Sequence, residues 1–382
     1  MTENIRRMQD EWIAVAGLEQ TLRACARTCR SWAPRAQKYL YRTVVIKQGG
    51  PDPYTLRFSP AVLAHIRHVV VHGDLCGEII HSVLSGRTDV TRLDLRNNPR
   101  QGSYTVSRAE LPSLPGLRTL SLRWVFFRTG RDMLESLSKY RCLSDLTLDL
   151  TNFYYAFVAP NDQLPSIALP IKTLRLKLRS IPVPPDSTYR SRAVLRATGA
   201  SLERLHIMLD SFAPEPLTRV EQLVAVFESL DLITNTSLRS LDVEFRWTAI
   251  HSYSRIRHNI RPRLANALLS QIYSAQLQTL TLRIHLSCLT EGADWQQALD
   301  LRILDYLAEP TGDSPMTRAA TERALARSAG LKSVTLKLSL EPISSNEAFS
   351  RIEAHLKAQL PKFMERRILR IEPWSGTTDD SL

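Results

Sequence analysis

Cys25 and Cys29 stand four residues apart in the stretch CARTCRSWAPRAQKYLYR, three residues before Trp32. On a helix this spacing brings both thiolates to one face, the geometry that could begin a tetrahedral zinc site. Such a site needs further ligands, and no His or Cys follows Cys29 within thirty residues. Small apolar residues on a buried helix face account for the pair better. Leu22, Cys25, Ala26 and Cys29 share that face, and Trp32 adjoins its end. His65, His68 and His72 would also share a helical face, but the Val69–Val70–Val71 run between them predicts a strand. Asp94, Asp149 and Asp242 alternate with arginines in separate segments, which reads as a solvated face. GxSxG, Walker, GxGxxG and HExxH signatures are absent from the sequence. The expectation is a non-enzyme with no metal and no cofactor.

The elements that position these residues are written in a repeat. The pattern apolar-x-x-apolar-x-apolar occurs as IRHVVV (66–71), VTRLDL (90–95), LRTLSL (117–122), LSDLTL (143–148) and IKTLRL (171–176). It continues as LERLHI (202–207), LRSLDV (238–243), LQTLTL (277–282) and LKSVTL (331–336). Successive fourth positions are 24, 27, 26, 28, 31, 36, 39 and 54 residues apart, so the later repeats carry extra helix or loop. Period-two alternation makes each segment a half-buried strand. Intervening amphipathic stretches at 131–140, 219–230 and 261–273 predict helices that cover the sheet. IPVPPDS (181–187) and EPTGDSPM (309–316) predict loops. Stacked strand–helix units predict an irregular α/β solenoid with a parallel sheet over 49–373, followed by a mobile tail at 374–382.

Length and composition agree with this reading. The chain has 382 residues, 43% of them hydrophobic, enough for a substantial core. No apolar run approaches the ~18–20 residues of a membrane span, and MTENIRRMQDEW has no signal-peptide character. Five scattered cysteines point to reduced thiols in the cytosol or nucleus. The net charge of +12 favours acidic partners, and residues 1–47 supply nine Lys/Arg against four Asp/Glu.

The repeats resemble the leucine-rich repeat. Its asparagine ladder is missing, however: Asn98 has Val125, Thr151 and Arg179 as equivalents, so the curvature should be irregular. The segment TLRACARTCRSWAPRAQKYLYRTVVI (21–46) resembles the C-terminal two-thirds of a fungal-type F-box. The family's opening Leu-Pro-x-Glu has no counterpart, since MTEN stands there; the F-box is degenerate or truncated. The resemblance implies an F-box-like helical module at 1–48 that docks a Skp-type adaptor, and through it a cullin. Leu22, Cys25, Ala26, Cys29 and Trp32 would form or support the docking face. An F-box followed by leucine-rich repeats implies the substrate-recognition subunit of an SCF-type ubiquitin ligase, with an unidentified protein substrate held by the solenoid. The alternatives are a repeat scaffold that no longer binds the adaptor, or a basic module associated with nucleic acid.

The outward strand positions are the candidate substrate surface. Arg96, Arg123, Asp149, Lys177 and Arg283 occupy equivalent places, and the fold is not expected to need them. Their column and the one before it mix six basic with four acidic residues. Mixed charge suits a specific protein surface, whereas a nucleic-acid track should be uniformly basic with interleaved aromatics.

Overall fold

The computed structural model describes residues 24, 33–47, 64–72, 84, 89–96, 104–106, 111–123, 125–127, 130–149, 167–179, 186–211, 230, 232–247, 274–285, 330–339 and 346–374. The chain divides into two compact units, Met1–Val125 with Lys139–Cys142, and Phe126–Ser138 with Leu143–Leu382. All nine predicted strand segments are strands, and two more join them. The architecture is α/β, built on parallel strands.

In the first unit four strands pair in chain order: β1 (Thr43–Lys47), β2 (His68–His72), β3 (Arg92–Arg96) and β4 (Thr119–Arg123). The helix α1 (Ala33–Leu40) leads directly into β1. Its Ala36 is buried and its Tyr39 exposed. The first ladder strand therefore lies inside segment 1–48, expected from sequence to be a helical module. Tyr140 closes this unit's core, fully buried, with its hydroxyl donating to the Pro112 carbonyl at 2.9 Å.

In the second unit seven strands pair in chain order. They are β5 (Asp145–Asp149), β6 (Thr173–Arg179), β7 (Arg204–Ser211), β8 (Ser240–Trp247), β9 (Thr279–His285), β10 (Ser333–Ser339) and β11 (Leu369–Pro373). Helix α2 (Gly130–Ser138) packs against α3 (Asp186–Thr198), and α4 (Asn346–Gln359) is followed by the short α5 (Pro361–Glu365). Helix α3 starts at Asp186, within the segment expected to be a loop. Two three-residue extended segments, Tyr104–Val106 and Val125–Phe127, lie outside the parallel ladders. The predicted helices at 219–230 (apart from Leu230) and 261–273, the loop at 309–316, and residues 375–382 fall outside the described residues.

The repeat leucines are the core because period-two alternation turns them all one way. Leu93, Leu120, Leu174, Leu241, Leu280 and Val334 are each 0% exposed. The two polar residues between the first and second apolar positions set the start of each strand. The Arg67 carbonyl accepts from Thr91 and Arg92 N–H, and the Thr91 carbonyl from Arg118 and Thr119 N–H. In the second unit the carbonyls of Ser144, Lys172, Glu203, Arg239 and Gln278 each accept two consecutive N–H groups of the next strand in the same way. One carbonyl oxygen has two lone pairs, so this doubled bond leaves neither donor orphaned.

The asparagine ladder is replaced on the entry side of the strands. Asn235 donates from Nδ2 to the Leu195 and Gly199 carbonyls, each at 3.0 Å. The single hydroxyl proton of Ser274 is shared between the Thr236 and Leu238 carbonyls, and that of Ser201 lies within reach of the Leu169 and Ile171 carbonyls, all of the preceding repeat. Gly330 sits where two backbones nearly touch: a Cβ there would lie 2.8 Å from the Ala275 oxygen and 3.2 Å from that of Leu277. Among the described residues no helix is long and apolar enough to cross a membrane.

Candidate binding face

Strand register converts the outward residues into rows that run across the sheet. In the first unit the last outward row is Lys47–His72–Arg96–Arg123, aligned residue for residue across four strands. The row before it is Val45–Val70–Asp94–Ser121. In the second unit the last row reads Asp149–Lys177–Met208–Glu244–Arg283–Lys337–Glu372. Arg96 and Arg123 thus become direct neighbours, as do Asp149 and Lys177, while Arg283 stands three strands beyond Lys177 in the same row.

The second unit's row neutralises itself. Lys177 Nζ lies 4.0 Å from Asp149 Oδ2, and Lys337 Nζ 3.8 Å from Glu372 Oε2. His206 Nε2 lies 3.7 Å from Oε2 of the buried Glu244. That imidazole nitrogen makes no hydrogen bond among the described residues, so no hydroxyl or thiol is paired with it as a nucleophile would be.

Arg283 is engaged on both sides. Its Nε and Nη2 fork onto Asp242, at 3.1 and 2.6 Å. Its guanidinium carbon lies 5.7 Å from the ring centroid of Trp374, a residue whose backbone N–H donates to the Leu338 carbonyl. Trp374, assigned from sequence to a mobile tail, is held at this point. The expectation that the fold does not need Arg283 is corrected here: a planar fork on a half-buried carboxylate is a structural tie. Arg283→Ser is expected to lower unfolding stability by about 1.5–3 kcal/mol, the range for hydrogen bonds to charged groups. Urea titration followed by circular dichroism reads this, and a loss under about 0.5 kcal/mol, that of an ordinary surface substitution, would return Arg283 to the exposed class.

The first unit's face is arranged differently. Asp94 is 1% exposed although it points outward, because Arg92, Arg96 and His68 close over it. Its Oδ2 lies 3.1 Å from Arg92 Nη2, 3.2 Å from His68 Nε2 and 3.6 Å from Arg96 Nη2. Burial pushes the Asp94 carboxyl up, but the hydrogen bonds and charges of His68 and Arg92 outweigh it and hold it down at about 2. Arg96 is pulled below its ordinary value by burial and then by the charge on Arg123, despite the opposing help of Asp94. No protein-family model matches the chain, and no curated protein matches it.

The five residues expected to contact the adaptor, Leu22, Cys25, Ala26, Cys29 and Trp32, lie outside the described residues. Sequence reasoning named Asp94, Asp149 and Asp242 as a solvated face, which the burial of Asp94 and Asp149 corrects, and gave His68, Arg92 and Trp374 no place in a site. His68 and Arg92 were legible as outward positions four residues upstream of His72 and Arg96. Trp374 had no such signal, because its partner is distant in the chain.

Proposed function

We propose that the chain is a non-catalytic substrate-recognition subunit of an SCF-type ubiquitin ligase. The observation that carries this reading is the outward face of the parallel ladders, where register lines charged side chains into rows on a rigid backbone. Such a surface suits an extended protein partner, because each row position is fixed by its strand and opposed charges reject mismatched partners. The resemblance of 21–46 to an F-box supplies the adaptor half of the proposal, and α1 running straight into β1 would couple that segment to the first ladder.

Co-expression with a Skp-type adaptor tests it. The expected result is a co-purifying complex that Trp32→Ala weakens about tenfold or more, as loss of a buried aromatic anchor does. No complex, even after a Leu-Pro-x-Glu opening is restored, would sink the ligase assignment and leave a repeat scaffold.

A further inference from the structure

The outward face of the first unit is polar except at one end. Its strand positions from Thr43 to Arg123 are charged, imidazole or hydroxyl residues apart from Val45 and Val70, which are neighbours in one row. Val45 is 49% exposed. The core face is incomplete at the same edge: Val69, Leu93 and Leu120 are buried, whereas Val44, the first member of their row, is only half-buried. Strand β1 is an end strand and, among the described residues, pairs with β2 alone. The Arg42 carbonyl accepts from His68 N–H, so alternation turns the backbone groups of Val44 and Ile46 towards β2 as well. The N–H and C=O groups of Thr43, Val45 and Lys47 therefore line the outer edge. Folded proteins blunt such edges with charge or proline. Strand β11, an end strand of the second unit, shows both devices. Its outward residues in the ladder are Arg370 and Glu372, and Pro373 withholds a donor from its outer edge. The stretch Thr43–Ile46 has neither.

We infer that the β1 edge is the interface of a homodimer, in which two copies pair β1 with β1, antiparallel, about a two-fold axis through Val45. The strand is self-complementary in that register. Val45 faces its own copy, Thr43 faces Lys47, and Val44 faces Ile46. Because Thr43, Val45 and Lys47 all turn their backbone groups outward, each outward N–H meets an outward C=O of the other copy. The axis stands perpendicular to the sheet, so both core faces stay on one side. The row of Leu120, Leu93, Val69 and Val44 then runs on into Ile46, Val71, Leu95 and Leu122 of the other copy. Val45 and Val70 of both copies make one apolar strip across the axis. A strand of a different protein would need no such symmetry about Val45, and a second copy does. The inference goes beyond the function proposed above and does not depend on it.

Sedimentation velocity of the full chain between about 1 and 100 µM tests this. Five paired residues make a small interface, so a micromolar monomer–dimer equilibrium is expected. Val45→Lys sets like charges opposite each other on the axis and should weaken dimerisation about tenfold or more. Val45→Pro should do the same while sparing the β1–β2 ladder, because the N–H it removes points away from β2. Ile233→Lys, at a similarly exposed apolar residue of the second unit, should change nothing. Thermal melting checks that the variants fold, and Val45→Lys carries the test if Val45→Pro does not. A chain monomeric throughout this range, or a dimer indifferent to Val45→Lys, overturns the inference. In the monomeric case, hydrogen exchange at Thr43, Val45 and Lys47 shows what replaces it. Protected amides would put the chain's own residues on the edge, and fast exchange would leave the edge to a strand of another protein.

Discussion

Leu146→Ala is expected to lower unfolding stability by about 2–5 kcal/mol. Leu146 is 1% exposed on β5 and aligns with Leu174 on β6, itself followed by Leu205 on β7. Truncation removes three buried carbons from a column whose neighbours are held by ladder hydrogen bonds on both sides of the row. The backbone cannot slide in to fill the space, so the lost apolar transfer and the residual cavity add. Leu146→Met, which roughly keeps volume, should cost less than about 1.5 kcal/mol. Urea titration of the two variants gives the comparison. If both lose the same small amount, Leu146 does not belong to a close-packed column.

Asp94→Asn is the second large effect, expected at roughly 3 kcal/mol from the loss of one partner in a buried ionic cluster. The amide keeps the shape but not the charge, leaving Arg92 and Arg96 facing each other around a group that also donates. The pH dependence has a definite sign. Folding lowers the Asp94 carboxyl from its ordinary 3.8 to about 2, so its contribution is complete above pH 4 and is lost as the pH falls through 2. The size is roughly 2 kcal/mol, since each tenfold change in proton affinity is worth about 1.4 kcal/mol. Chemical denaturation at pH 7, 4, 3 and 2 should show that decline in the natural protein and its absence in Asp94→Asn. Parallel profiles would mean that Asp94 does not hold the cluster.

What the sequence discloses here is what depends on near neighbours. Alternation is local, so all nine leucine motifs announced their strands and their buried faces. Strand β1 keeps the pattern with Tyr41, Val44 and Ile46, but a tyrosine in first place disguised it. Strand β11 breaks it: Arg366 occupies the first place and satisfies it by donating from Nη2 to the Leu331 carbonyl at 3.0 Å, and Arg367 takes a left-handed φ of 55°. The rows of the candidate face were predictable from equivalence of position, including the adjacency of Arg96 with Arg123. Which charges pair was not, since that depends on rotamers and on side chains from adjoining strands. Arg283 could be placed in the outward row from sequence, but its ties to Asp242 and Trp374 could not.

The doubled hydrogen bond at the head of each strand also has a direction. At the heads of β2–β4 and β6–β10 the acceptor comes earlier in the chain and the two donors stand at the start of the later strand; β11 is the exception, where Val334 N–H donates forward to the Ile368 carbonyl. Within each unit a strand therefore finds its template already in place when it leaves the ribosome, only a few tens of residues after its predecessor. No strand has to wait for a distant C-terminal partner before its first bond can close, so the ladder can be laid down in the order of synthesis. A chain interrupted midway would still hold a finished edge, shorter by the missing rungs.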